Sequence, residues 1–539
     1  MASTAGTETS SRTTRRTRSA AAVATVATVL GLVATAAACG GGSSADGGDG
    51  STVVLAVAAD PGTLSPTTAL AGTAISMNSF AYDTLVHIAA DGALVPGVAE
   101  KWSATSTTAQ FTIRSGVTCE DGSPLTADDV AAEYNHIADP KNQSPMLGLS
   151  VPVTAVAKAD RASRTVTVTT TKPAPFIVQM ARLLPLLCKK SLAAPDALAK
   201  ATDASGPYRL TEAVPGDHYT YVKRDGYAWG PRGSTGAGLP GKLVFKVVAN
   251  ESTAANLLMA GQINGALIGG ADQERLDAAG VKNESIEALF GQFLFNQAAG
   301  RPGADSAVRK ALVSVLDLKQ LGNVATGGKG RPATAIGETA PTPCTGDTVT
   351  GNLPGHDPAQ AAAALTAAGW AKPGGTWTKD GKPLTVGLGY PTNQGAQVAS
   401  AVELAVQQWT SFGVKASAKP TGSSSILSTL SGGDWDVAWA PIGVTLPDQL
   451  TQFYDGPPPP KGNNFGSITN ADYHRLAAQA SARTGASGCA LWEAADAALV
   501  KDVDIVPIVS RPLRYYGKGI TFKVDGAGII PSTLRRSAG

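Results

Sequence analysis

The stretch that most limits the possible folds runs from Pro383 to Pro420. It reads "PLTVGLGYP", then "AQVASAVELAVQQWTSFG", then "VKASAKP". The outer segments are short apolar runs bounded by proline and glycine. The middle one places Val398, Ala401, Val402, Ala405 and Trp409 on one helical face and ends at Gly413. Strand, helix and strand in that order imply a parallel pair with a crossover, and so an α/β body.

The neighbouring segments carry signals of the same kind. "DPAQAAAALTAAG" is bounded as a helix by its ends: Asp357 as cap, Pro358 at the first position, Gly369 after the last turn. "SAVRKALVSVLD" sets Val308, Ala311, Leu312 and Val315 on one face. Earlier, "STVVLAVAADPGTLSP" predicts a buried strand and a turn. "LVHIAADGALVPGVAEKWSATSTTAQFTIRSGVTCEDG" predicts a meander of short strands with Asp-Gly turns. In "LTADDVAAEYNHIAD", Thr126 and Asp129 have the spacing of a capping arrangement. No internal repeat is present.

The N-terminus fixes the compartment. Arg12, Arg15, Arg16 and Arg18 precede an apolar run from Ala20 to Ala38, which ends in small residues before Cys39. Basic end, apolar middle and small cleavage-point residues are the order of a secretory signal. The run is rich in alanine and threonine, weakly hydrophobic for a permanent membrane span. It resembles a bacterial lipoprotein signal, which implies lipidation of Cys39, although Ala36 stands where such signals usually carry a bulky residue. Residues 1–38 are then a signal peptide and 39–51 a flexible Gly/Ser/Asp tether. The protein is expected outside the cytoplasm, lipid-anchored to the outer face of the cell membrane, or secreted if Cys39 is not lipidated.

The chain has 44 basic and 42 acidic residues; without the four arginines and one glutamate of the leader, 40 face 41. A near-neutral body gives no reason to expect nucleic acid as a partner. Beyond Cys39 there are Cys119, Cys188, Cys344 and Cys489, an even number in an exported chain. Three pairings are possible, and four free thiols are the alternative; if the two sequence regions are separate lobes, 119 joins 188 and 344 joins 489.

The search for catalytic chemistry returns little. The five histidines are scattered and no cysteine pair has zinc-knuckle spacing, so no local metal site is expected. "GNVATGGKGRP" lacks the phosphate-loop register and is expected to be a flexible loop. "GASGC" has no nucleophile-elbow serine.

Several segments together resemble the extracytoplasmic solute-binding proteins of peptide/nickel-type ABC importers, solute-binding protein family 5. They are "LVPGVAEKWS", "FTIRSGVTCEDGSPLTADDVAAEYNHI", "ASGPYRLTEAVPGDHYTYVKRDGYAWG", "LLMAGQINGALI", "FLFNQAAGRPGADSAVRKALVSVLD" and "GHDPAQAAAALTAAGW", in the family's order. The resemblance implies an α/β two-lobed clamp of the periplasmic-binding-protein type (class II, cluster C) with an extra inserted subdomain. Lobe I would comprise residues 52–72, 200–290 and 505–539, the insert 73–199 and lobe II 291–504, with crossings near Phe293 to Gln297 and Val503 to Pro507. The two cysteine pairs then fall one in the insert and one in lobe II.

The resemblance also implies a function: capture of a peptide-like or other mid-sized polar solute between the lobes and delivery to an ABC permease with its ATPase subunits. It implies a monomer, no enzymatic activity and no cofactor. The rival readings are a peptide-sensing surface receptor or interaction lipoprotein not coupled to import, and an enzyme on the same fold. Where peptide-binding members carry an aspartate for the peptide amine, the ungapped alignment puts Thr445, with Asp448 three residues on. Gly72 and Thr73, in the stretch from Leu70, match backbone that meets an extended ligand by strand addition. Trp439 is a candidate aromatic wall or a core residue, Asn296 a candidate ligand contact or hinge residue. Asn463 and Asn464 are expected to be structural. Scattered histidines argue against nickel.

Overall fold

The computed structural model describes residues 52–69, 71–89, 93–337, 339–422 and 426–537. The leader, Cys39, the tether and Leu70 lie outside the described residues.

The parallel pair expected from the opening stretch is present. Strands Thr385–Pro391 and Lys415–Thr421 run parallel in register, joined by helix Ala396–Phe412, whose buried residues are Val398, Ala401, Val402, Ala405 and Trp409. Gly413 ends that helix at φ 102°. The pair forms one edge of a mixed sheet of eleven strands. From that edge the order continues through Val437–Trp439, Lys282–Phe295, Ile505–Gly517, Gly265–Ile268, Thr52–Val57, Lys242–Val247, His218–Lys223 and Tyr208–Val214, while Arg331–Pro332 pairs beside Ile505–Gly517. The molecule is a two-lobed clamp. Buried clusters around Phe80, Tyr221 and Phe245 fill one end, and those around Phe293, Trp409 and Trp439 fill the other.

The two long strands, Lys282–Phe295 and Ile505–Gly517, run from one end to the other as an antiparallel pair. Their register shifts between Leu289 and Gln292, beside the expected crossing. Gly291 sits in this shift because a Cβ there would lie 2.7 Å from Trp439 Cζ2 and 2.8 Å from Val509 Cγ1. Any side chain would displace the indole or the strand.

The expected meander divides: Val86–Ile88 pairs with Leu94–Pro96 as a two-stranded sheet, while Ala99–Ala104 and Thr108–Ile113 join two later strands in a four-stranded antiparallel sheet (the meander sheet), in the order Ala99–Ala104, Thr108–Ile113, Thr165–Thr169, Val156–Asp160. Helix Ala127–Ala138 covers it, and its start follows the sequence signal: Thr126 Oγ1 accepts from Asp129 N, and the Asp129 carboxylate accepts from Thr126 N. Helix Pro358–Ala367 is capped by Asp357, as its ends predicted. One local expectation is corrected. Gly322–Thr326 of "GNVATGGKGRP" is not loop but the end of helix Leu318–Thr326, stopped by Gly327 at φ 60°. Leu321 and Ala325 are buried one turn apart, and that burial holds the segment helical.

Two disulfides are formed, Cys119–Cys188 and Cys344–Cys489. Their cysteines are 69 and 145 residues apart in sequence; the first bridge precedes both long strands in chain order and the second lies between them.

Candidate functional site

The two ends of the molecule are joined by more than the long strands. The segment 175–185, which follows the meander sheet, forms one helical turn, Ile177–Met180, and a 3-10 turn, Ala181–Leu183. Helical spacing gives it two faces. Phe176 and Met180, four residues apart, are buried in the cluster that contains Tyr454, Trp492 and Ile505. Ile177, Val178, Ala181 and Leu184 are buried in the cluster of the meander sheet. The Phe176 and Trp492 rings lie 6.5 Å apart, and Gly485 N donates to Pro175 O at 2.8 Å. The segment is thus a strip along which the meander subdomain meets the residues beyond 290.

Two cavities border this strip. The first, about 310 Å³, is bordered by Gly148, Pro173 and Met180 on one side and by Asp448, Gln449 and Gln452 on the other. The second, about 140 Å³, is bordered by Asn78, Asp83, His87, Arg182, Tyr227 and Asp525. Both carry a buried ionisable atom without a hydrogen-bond partner, Asp448 Oδ1 in the first and Arg182 Nε in the second. Desolvation pushes the Asp448 carboxyl up to about 7, against weaker opposition from the backbone N–H groups of Asp448 and Gln449. Lys172, exposed, borders the same cavity.

The residues singled out in the sequence have different fates. Asp448 faces the first cavity. Thr445 is half-buried; its N–H donates to Gln449 Oε1, and its Cγ2 would be 3.7 Å from a Cβ on Gly526, in the turn between strands Val524–Asp525 and Gly528–Ile529. Trp439 is fully buried, its Nε1 donating to Phe290 O and its ring edge-on to Phe293 at 5.8 Å. It is core and lines neither cavity, because its strand lies inside the sheet between Thr385–Pro391 and Lys282–Phe295. Asn296 is also buried: its amide donates to Gly433 O and Trp435 O, and its Oδ1 accepts from Ala298 N. Its hydrogen-bonding groups are committed to backbone.

Gly72 and Thr73 require a correction of geometry. They begin helix Gly72–Ala81, so their carbonyls are committed to the helix and strand addition is not open to them. Asn464 is buried and bonds Gly456 O and Ile468 O through its amide; Asn463 is bonded to Gln452. Arg182 was missed in the sequence. The signal was available: it is the lone charge between Lys172 and Lys189.

Among the described residues no helix is long and apolar enough to cross a membrane, and no group of three or more His, Cys, Asp or Glu side chains is placed to hold a metal ion.

Comparison with known proteins assigns this architecture. The family model of bacterial extracellular solute-binding proteins, family 5 (middle region), matches residues 93–460. The chain belongs to that family. It is 29% identical over 394 residues to protein XP55 of Streptomyces lividans, covering 67% of this chain and 65% of that one. To the nickel-binding periplasmic protein of Escherichia coli it is 26% identical over 332 residues, covering 58% of this chain and 60% of that one. The chain thus spans somewhat less than two thirds of the length of these relatives. Among solved structures, a substrate-binding protein from Microbacterium hydrocarbonoxydans, complexed with 4-hydroxybenzoate hydrazide, superimposes with a TM-score of 0.72 at 25% identity. That match covers 90% of this chain and all of the other. The two cavities described above border the segment by which the meander subdomain meets the remaining body.

Proposed function

We propose that this protein is the solute-capturing subunit of an ABC importer, anchored outside the cytoplasmic membrane by a lipid on Cys39. It takes a peptide-like or other mid-sized polar solute between its lobes and hands it to the permease, without catalysing a reaction. The observation that carries this reading is the first cavity, where Asp448 Oδ1, without a hydrogen-bond partner, faces residues of the meander subdomain, in a chain of the family 5 fold. Lobe I comprises 52–72, 200–290 and 505–539, the insert 73–199 and lobe II 291–504. The register shift at Leu289 to Gln292 serves as the hinge. A solute bridging the lobes favours the closed form by its differential affinity, and the permease reads closure. The lipid raises the local concentration of the protein at the permease.

Asp448 is the acceptor for the cationic end of the solute. Its carboxyl, neutral-leaning while the cavity is empty, ionises when an ammonium enters, because the opposite charge offsets the desolvation. Native mass spectrometry of the host-purified protein, before and after mild unfolding, tests the reading. A bound small molecule lost on unfolding is expected, and metabolic labelling with palmitate is expected to mark the wild type and not Cys39→Ala. An empty protein, unmoved in melting temperature by peptides, sugars and chelates, would sink the proposal.

A further inference from the structure

The segment 327–332, which ends the glycine-rich stretch met in the sequence, lies against the hinge. Val509 stands opposite Gly291 in the register shift of the two long strands. Three glycines enclose its side chain: a Cβ would lie 2.8 Å from Cγ1 at Gly291, 3.3 Å from Cγ2 at Gly322 and 2.5 Å from Cγ2 at Gly330. Gly330 N donates to Thr326 Oγ1 at 3.0 Å, and Arg331 and Pro332 pair with Ser510 and Val509 as a short strand. The segment is therefore packed on the bulge with no room for a side chain between them. From there it reaches the other lobe by charge. Lys329 Nζ lies 3.3 Å from Oε1 of Glu274, on helix Asp272–Ala278, and Arg331 Nε lies 3.3 Å from Oε2 of Glu287, on strand Lys282–Phe295. Both cations belong to lobe II and both carboxylates to lobe I. Glu287 Oε2 is buried and makes no hydrogen bond among the described residues, so Arg331 is the charge that meets it.

We propose that segment 327–332 is a strap across the hinge, whose two ion pairs hold the lobes together, with the strip 175–185 seated on lobe II, before any solute enters. The inference rests on the two-lobed capture reading above and adds to it a device that sets how readily the lobes part. Turning at the bulge carries Glu274 and Glu287 with lobe I and leaves the cations with lobe II, so it draws both pairs apart. Exposed ion pairs contribute little to folding. They matter here because two arrangements of a clamp differ by little, and a small bias changes their ratio several-fold. Salt screens such pairs, so parting of the lobes, and with it access to the cleft, increases with ionic strength.

The test is hydrogen–deuterium exchange of the host-processed protein, freed of small molecules by dialysis and read by mass spectrometry. Gly485 N donates to Pro175 O, from lobe II to the insert, so its exchange follows parting of the lobes. Amides of helix Ala396–Phe412, inside lobe II, serve as the control. Lys329→Gln together with Arg331→Gln should speed exchange at Gly485 by roughly 2- to 10-fold and leave the control unchanged. High salt should do the same to the wild type and add nothing to the double variant. Lys329→Glu should speed exchange at Gly485, and Glu274→Lys added to it should restore the wild-type rate. Unchanged exchange at Gly485 in the double variant overturns the strap, as does a wild type indifferent to salt. So does a charge swap that restores nothing, or an acceleration shared by the control, since the segment would then support lobe II as a whole. Because no solute is used, any of these failures leaves solute capture standing, and the native mass measurement above decides that by itself.

Discussion

Arg309 and Arg182 are buried to the same degree, each with 6% of its side chain exposed, and their surroundings are opposite. Arg309, on helix Ser306–Ser314, donates through Nε to Val503 O, through Nη1 to Gly303 O, and through Nη2 to Asp502 O and Asp504 Oδ1. Asp504 in turn accepts from Gln297 and Asn470. The cost of burying that pair is offset by a network in which both ions are satisfied. Arg182 has one long ion pair and an orphaned Nε. The complete network fixes Arg309 in place, while Arg182 keeps unused hydrogen-bonding capacity.

Breaking the complete network should give the largest effect. Arg309→Met leaves Asp504 buried without its countercharge and three carbonyls without a donor. A loss of roughly 3–5 kcal/mol is expected from urea denaturation, where Arg182→Met should lose nothing. Equal losses in the two variants would erase the distinction.

Asn296 sharpens the same contrast with a neutral side chain. Asn296→Ala strips Gly433 O and Trp435 O of a donor inside the fold. About 2 kcal/mol should be lost, with no selective effect on solute affinity. A variant of wild-type stability with weakened binding would return Asn296 to the ligand site.

Asp448 supplies the pH arm. Its folded carboxyl, at about 7, lies above the ordinary value near 4, so the native state holds the proton more tightly than the unfolded chain. Its contribution is complete below about pH 4 and is lost as pH rises through 7. Glu133, buried and pushed up to about 8 by desolvation, acts in the same direction. Asp448→Asn should therefore flatten part of the decline in unliganded stability between pH 4 and 7, by roughly 1–3 kcal/mol, with the Glu133 share remaining. Identical pH profiles for variant and wild type would show that Asp448 is solvated in the free protein.

These contrasts also explain what the sequence could reveal. Periodicity and end residues located the helices at Thr126, Asp357 and Ala396, because caps and apolar faces act over a few residues. The site was less legible. Trp439 and Asn296 look like ligand residues by type and by alignment, yet their partners, Phe290 and Trp435, are set by strand pairing across the sheet and by a chain reversal. Nothing within a few residues of either announces that commitment. The extended backbone expected at Gly72 and Thr73 rests on the family resemblance alone, and no capping side chain marks the start of the helix they begin. Arg182 is conspicuous only as a lone charge in an apolar stretch, and its want of partners is a three-dimensional fact.

The smallest effect tests whether distance alone could have made the distinction. Lys523 Nζ lies 2.8 Å from Glu284 Oε1, closer than Arg309 to Asp504 at 3.0 Å, but these side chains are 55% and 36% exposed. Water solvates both ions as well apart as together, and holding two long side chains in one geometry costs rotamer entropy. Lys523→Gln should change stability by less than about 0.5 kcal/mol, and that little should vanish in high salt. A loss comparable to that of Arg309→Met would mean that contact distance ranks these ions. A negligible one leaves burial and completeness of the hydrogen-bond set as the ranking quantities, and by those Arg182 stands apart from both.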